Sequence, residues 1–268
     1  MARHDLRGAV VAITGASAGI GQATALAFAR QGARLAVGAR RSDRLQELAH
    51  QIEALGGECM ALALDVAQEA EVQRFVAATV ERFGRLDVMV NNAGYGVRGK
   101  VEDTPVASFR RLMEVNFLGT VYGCQAALPM MRKQGSGVII NVSSIVGHRS
   151  LPGGGAYAAS KAAQISLTES LRAELAGTGI AACSVHPIGT ATEFAEVALR
   201  ESEGRRGGPV GPQQTAEDVA EAIVRCARHP RPEVFPFAFS RPLVWLNALW
   251  PALVDRWAVR TAKNASRT

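Results

Sequence analysis

Tyr157 and Lys161 stand four residues apart in the run Gly155-Ala156-Tyr157-Ala158-Ala159-Ser160-Lys161. On a helix that spacing places both side chains on one face, within reach of a common ligand. A phenol alone holds its proton to about pH 10. A neighbouring ammonium favours the phenolate and draws that value toward neutrality, where the pair can take and give protons. Such a tetrad also occurs on an ordinary helix surface, so its meaning depends on what surrounds it. Ser144 precedes Tyr157 after an apolar run from Gly137 to Asn141, and the loop between them is glycine-rich and tipped by His148 and Arg149. Asn116 lies in a helical stretch, where a lone asparagine is usually a satisfied polar group.

The elements that must position these groups begin with Ala9-Val10-Val11-Ala12-Ile13, then Thr14-Gly15-Ala16-Ser17-Ala18-Gly19-Ile20-Gly21 and an alanine-rich helix to Arg30. Strand, glycine turn and helix open a nucleotide-binding unit: the glycines let backbone approach a pyrophosphate, and the helix start offers unpaired N–H groups. A packing turn would have the same appearance. The second strand ends at Ala39-Arg40-Arg41 with no acid before Asp43. An acid there would suit the ribose hydroxyls of NAD, whereas an arginine suits the 2′-phosphate of NADP.

Ser42 is expected to cap a helix carrying Leu45, Leu48, Ile52 and Leu55. Strands are predicted at Cys59 to Leu64, Leu86 to Val90, Gly137 to Asn141, Ile180 to His186 and Val234-Phe235. Helices are predicted through Val72 to Phe83, from Thr104-Pro105 past a kink at Pro129 to about Lys133, from Tyr157 to about Ala176, and after a Thr215 cap. Strands alternating with helices imply a parallel sheet, with ligands at the carboxyl ends of its strands. Gly15, Arg40, Asp65 and Asn92 fall at such ends.

Composition excludes other classes. With 48% hydrophobic and 20% charged residues the chain is an ordinary globular protein. The net charge of +6 is dispersed and the aromatic content is 6%, against the basic stripe with stacking aromatics that nucleic acid requires. Cys59, Cys124, Cys183 and Cys226 have neither metal nor redox spacing and read as free thiols. No metal site is expected, and no run is long and apolar enough to span a bilayer. A cytoplasmic location is expected.

In order, Thr14 to Gly21, Asp65-Val66, Asn91-Asn92-Ala93-Gly94, Asn116, Ser144, Tyr157-x-x-x-Lys161, His186-Pro187 and Thr192 closely resemble the short-chain dehydrogenase/reductase family over residues 8 to 235. The resemblance implies an α/β fold, a Rossmann-type doubly wound seven-stranded parallel sheet in one domain (residues 1–238). It implies a carbonyl/alcohol oxidoreductase, with Tyr157 as acid-base catalyst, Ser144 on the substrate oxygen, Lys161 on the nicotinamide ribose and Asn116 supporting a proton-relay water chain. Cofactor contacts are implied at Gly15, Ser17, Ala18, Gly19, Ile20, Gly21, Asp65, Val66, Asn92, Ala93, Gly94, Tyr157, Lys161, Pro187, Thr190 and Thr192, with Arg40 and Arg41 choosing NADP(H). The substrate would be a small carbonyl or alcohol and the assembly a homodimer or homotetramer. An NAD-preferring dehydrogenase, or an NADP(H)-sensing protein without turnover, are the alternatives. Ile188 replaces the glycine that the family usually has after Pro187, so the local backbone path is expected to differ. His148 and His186 read as loop-tip and packing residues, with some contact of His148 to substrate.

Residues 193–213 are charged and then glycine-rich, the place of a substrate lid. Residues 239–268 form an apolar helical extension with Trp245, Trp250 and Trp257, bent at Pro251 and ending in a basic tail. It is expected to pack on its own or a partner subunit, to roof the pocket, or to make peripheral membrane contact through residues 240–260; packing or oligomer contact is the favoured expectation.

Overall fold

The structure, a computed structural model, describes residues 5–190, 192–194, 198 and 213–265, with side chains to residue 260. Most of the expected lid segment lies outside the described residues.

Nine strands are present among the described residues: β1 (Val10–Thr14), β2 (Arg34–Ala39), β3 (Cys59–Ala63), β4 (Val88–Asn91), β5 (Gly137–Val142), β6 (Ile180–Val185), β7 (Gly189–Thr190), β8 (Gln213–Gln214) and β9 (Glu233–Val234). Seven form one all-parallel sheet in the order β3-β2-β1-β4-β5-β6-β9. The helices are α1 (Gly19–Ala29), α2 (Ser42–Ala54), α3 (Glu69–Phe83), α4 (Val106–Leu112), α5 (Gly119–Gln134), α6 (Gly155–Glu174), α7 (Ala216–Arg228), α8 (Ser240–Leu249) and α9 (Pro251–Ala265). The chain has a single-domain, Rossmann-like α/β fold.

The period-two alternation of the strands divides the core between the two faces of the sheet. Val11, Ile13, Leu35, Val37, Val138 and Ile140 face the cluster that includes Phe28 of α1, Leu48 of α2 and Ile223 of α7. Val10, Ala12, Ala36, Met89 and Ile139 face Phe75 of α3, Met131 of α5 and Leu171 of α6. Strands apolar on both faces can lie only in such a doubly covered sheet. The order in which strands are added reverses between β1 and β4, and the crevice at that switch is where ligands bind in open α/β sheets.

Several boundaries depart from expectation. Ser42 is the first residue of α2, and Arg41 is its cap. Pro105 caps α4 instead of opening it, while the Thr104 hydroxyl bonds the Lys100 carbonyl at 2.7 Å. The helix beyond is broken by a π-helical turn, Met113–Leu118, that carries Asn116. As expected, the helix continues past Pro129, which sits inside α5. Where Ile188 replaces glycine, the chain goes directly into β7, which pairs in parallel with β8. Gly189 lies in β7 and is not among the glycines with positive φ.

The carboxy-terminal extension is two helices joined at Trp250, with Pro251 opening the second. Its tryptophans neither fill its own core nor roof the pocket. Trp245 and Trp250 are 58% and 59% exposed, and only Ser240, Val254 and Ala258 of its described side chains are buried.

Candidate active site

The carboxyl ends of β1, β2, β4, β5 and β6 open onto a cavity of about 990 Å³. Nearly every candidate from the sequence lines it: the glycine turn from Gly15 to Gly21, Arg40 and Arg41, Asp65 and Val66, Asn92 to Gly94, Ser144, Tyr157, Lys161, Pro187, Thr190 and Thr192. Residues scattered over most of the chain converge there because each follows a strand of the same parallel sheet.

The glycine turn is built for close approach. Gly15 has φ +68°, and a Cβ there would lie 2.7 Å from the Ala93 Cα; one on Gly21 would lie 2.3 Å from the Gly15 carbonyl oxygen. Asn92 secures the turn by donating through Nδ2 to the Thr14 and Gly15 carbonyls at 3.0 and 3.2 Å. α1 then begins after Ala18, whose side chain cannot cap it, and no acid lies in its first turn. Its leading N–H groups therefore face the cavity without a side-chain acceptor, the arrangement that receives a phosphate.

At the end of β2 the two arginines differ. Arg41 donates to the Ser17 hydroxyl at 3.1 Å and pairs with Glu193 at 2.9 Å; Glu193 also pairs with Arg44. The hydrogen bonds from Arg44 and Arg41 hold the Glu193 carboxyl below the usual carboxylate range. Arg40 is exposed on the cavity wall, and neither an ion pair nor a hydrogen bond ties its side chain to a described residue.

At the other end, Ser144 and Tyr157 line the cavity together, and the Ser144 hydroxyl donates to the Pro187 carbonyl at 3.3 Å. Lys161 donates to the Val142 carbonyl at 2.9 Å, and its Nζ lies 5.7 Å from the centre of the Tyr157 ring. Burial of both groups opposes the expected ammonium-assisted acidity. It pushes the Tyr157 phenol up against the lowering effect of Ser144, and it pulls Lys161 down to about 7. Desolvation disfavours the charged form of each group.

Asn116 does not line the cavity. It is fully buried behind the cavity wall rather than on it. Its Nδ2 donates to the Tyr95 carbonyl (3.0 Å) and the Ser160 hydroxyl (2.9 Å), and its Oδ1 accepts from the Tyr95 N–H (3.0 Å). Both its amide hydrogens are used by protein, so it positions the Tyr95 backbone and the helix bearing Lys161. The π turn that aims it inward is a device found mostly at functional sites.

His148 is not on the cavity wall. It meets the buried His186 and Glu233, with Nε2 3.5 Å from the His186 Nε2 and 3.5 Å from the Glu233 Oε1. Spacing along the chain hid this cluster. The geometry reads as packing: His186 stacks on Phe235 at 4.8 Å. Its Nδ1 is buried without a partner, where a metal-bound imidazole would donate to an acceptor.

The sequence reading missed Phe194, whose ring packs 5.5 Å from that of Tyr157, and Arg98, Val97 and Leu151 of the wall. These come from irregular segments with no periodicity to reveal them. Burial lowers the Arg98 guanidinium.

The profile of the short chain dehydrogenase family matches residues 9–203. The chain belongs to that family. As a short-chain dehydrogenase it is an oxidoreductase of the class that acts on alcohols and carbonyls with a nicotinamide cofactor. It is 34% identical over 254 residues to the uncharacterized oxidoreductase YxnA of Bacillus subtilis, covering 94% of this chain and 71% of the relative. It is 38% identical over 223 residues to 2-(R)-hydroxypropyl-CoM dehydrogenase of Xanthobacter autotrophicus, covering 80% and 89%. Among solved structures, a short-chain dehydrogenase/reductase from Burkholderia phymatum in complex with NAD superposes with a TM-score of 0.84 at 27% identity, over 93% of this chain and 96% of that one. An alcohol dehydrogenase from Thermococcus sibiricus complexed with 5-hydroxy-NADP superposes with a TM-score of 0.75 at 32% identity, over 85% and 95%. Short-chain dehydrogenases bind small-molecule substrates and are commonly oligomeric.

Proposed function

We propose that this short-chain dehydrogenase is an NADP(H)-dependent oxidoreductase interconverting a carbonyl and a secondary alcohol, with Tyr157 as its acid-base group. The observation that carries the reading is one cavity lined by Ser144, Tyr157 and Lys161 at one end and by Arg40, free of protein partners among the described residues, at the other.

The residues present fit such a cofactor. The uncapped start of α1 and the close-approach glycines suit a pyrophosphate. Arg40 suits a 2′-phosphate, while Arg41 is already committed to Ser17 and Glu193. Lys161 is placed for the ribose beside the nicotinamide. When bound, the nicotinamide supplies or accepts the hydride. The hydroxyls of Ser144 and Tyr157 donate to the substrate oxygen and stabilise its growing negative charge. Tyr157 delivers its proton to that oxygen in reduction and takes it back in oxidation. We further propose a homodimer or homotetramer in solution.

Arg40→Ala tests the cofactor assignment. Losing a charge-assisted contact should weaken NADPH binding roughly 10- to 100-fold and leave NADH binding nearly unchanged, as read by titration of cofactor fluorescence. Equal losses for both would remove the 2′-phosphate contact and favour NAD.

A further inference from the structure

We propose that the hairpin of α8 and α9 is a docking surface for anionic lipid, which the protein meets as a peripheral, non-spanning partner. The inference is independent of the cofactor assignment.

The hairpin is amphipathic in the opposite sense to a core helix pair. Two of its polar side chains are tied to the body: Arg149 donates to Asn247 at 3.3 Å and to Asp255 at 2.6 Å, and Asn247 donates to the His148 carbonyl at 3.4 Å. Apart from the buried Val254 and Ala258, its described apolar side chains are partly or fully exposed. Every residue from Ala248 through Leu253 is exposed, and the run Ala248-Leu249-Trp250-Pro251-Ala252-Leu253 holds no polar side chain. Leu249 at 67%, Trp250 at 59% and Leu253 at 55% form the tip. A core helix pair would lose that apolar burial for no return. A surface that penetrates a lipid interface regains it, with tryptophan at headgroup depth.

The rim selects the partner. Arg241, Arg256 and Arg260 are exposed on the same two helices, with Arg241 over the Trp245 ring at 5.3 Å. From Ser240 onward Asp255 is the one acid against five basic residues, and it is paired with Arg149. A second copy would bring the same arginines face to face in a two-fold pairing, which opposes association. An anionic headgroup layer complements them. No described helix is long and apolar enough to cross a membrane, so the hairpin lies in the interface. Arg149 is two residues from Leu151 of the cavity wall, so the docked surface is tied to the edge of the active-site cavity.

The test is co-sedimentation of the full-length protein with vesicles of phosphatidylcholine alone or mixed with phosphatidylglycerol. Retention is expected on the mixed vesicles, with release by salt, little binding to phosphatidylcholine alone and a blue shift of tryptophan emission. Replacing the tip by Leu249→Ser with Trp250→Ser should lower partitioning at least roughly tenfold. Arg256→Glu with Arg260→Glu should remove the preference for anionic vesicles while the thermal unfolding midpoint stays unchanged. If the double tip variant does not fold, Trp250→Ala alone carries the same expectation in smaller measure. Absence of retention on anionic vesicles at low salt overturns the proposal. So does size-exclusion chromatography in which the tip variant splits an oligomer of the full-length protein, since the face would then belong to a second copy.

Discussion

At the scale of single residues, the tension lies between what Tyr157 is positioned to do and what burial does to its proton. Desolvation raises the phenol and lowers Lys161 to about 7, so the protein alone does not hold a ready phenolate. The proposed role is still carried by position, because removing the hydroxyl removes the donor to the substrate oxygen. Tyr157→Phe should lower kcat by about 10²-fold or more while NADPH binding persists, as measured by steady-state turnover beside a binding titration. Lys161 gives a second, opposite-looking signature. Its folded pKa lies below the unfolded value of a lysine, so between about pH 7 and 8.5 the unfolded chain binds more protons and stability rises with pH. Its contribution should reach a slope of up to about 1.4 kcal/mol per pH unit. The window ends below the range where raised thiols and the phenol begin to act in the other direction. Urea midpoints of the cofactor-free protein across that window should rise, and Lys161→Met should flatten the slope.

At the scale of elements, α7 offers the cleanest local test. Thr215 accepts from the Asp218 N–H at 3.0 Å, and Asp218 returns a bond to the Thr215 N–H at 3.0 Å. α7 packs on the same core cluster as α1, so loss of this cap is felt by the whole domain. Thr215→Ala should cost about 1 kcal/mol, read as a lower urea midpoint, with Thr215→Ser restoring most of it. This cap was legible in the sequence because capping is a local, short-range pattern. So were β1, the glycine turn and α1, where alternation, glycine spacing and helical periodicity succeed one another without ambiguity. The π turn was not legible. One extra residue per turn leaves no compositional mark, and Met113 to Leu118 reads as ordinary helix. For the same reason the sequence could name Asn116 but not foresee that protein groups use both of its amide hydrogens.

At the scale of the whole molecule, the site was legible to the extent that it follows the sheet. Candidates at strand ends, from Gly15 to Thr190, arrive in one cavity because parallel strands deliver their carboxyl ends to one side. What the sequence could not supply were contacts between irregular segments, such as Phe194 on Tyr157, or His148 with His186 and Glu233. The sheet order has one further consequence. Among the described residues β3 is an outer strand with a single neighbour, and its residues Cys59-Met60-Ala61-Leu62-Ala63 include no charge and no proline. Its free row of backbone donors and acceptors is a template on which a partly folded chain can add its own strand, so crowded refolding should lose material to aggregates seeded there. Ala63→Lys, at the exposed end of that strand, should raise the yield of monodisperse protein after dilution from urea, as followed by light scattering; an unchanged yield would place the seed elsewhere.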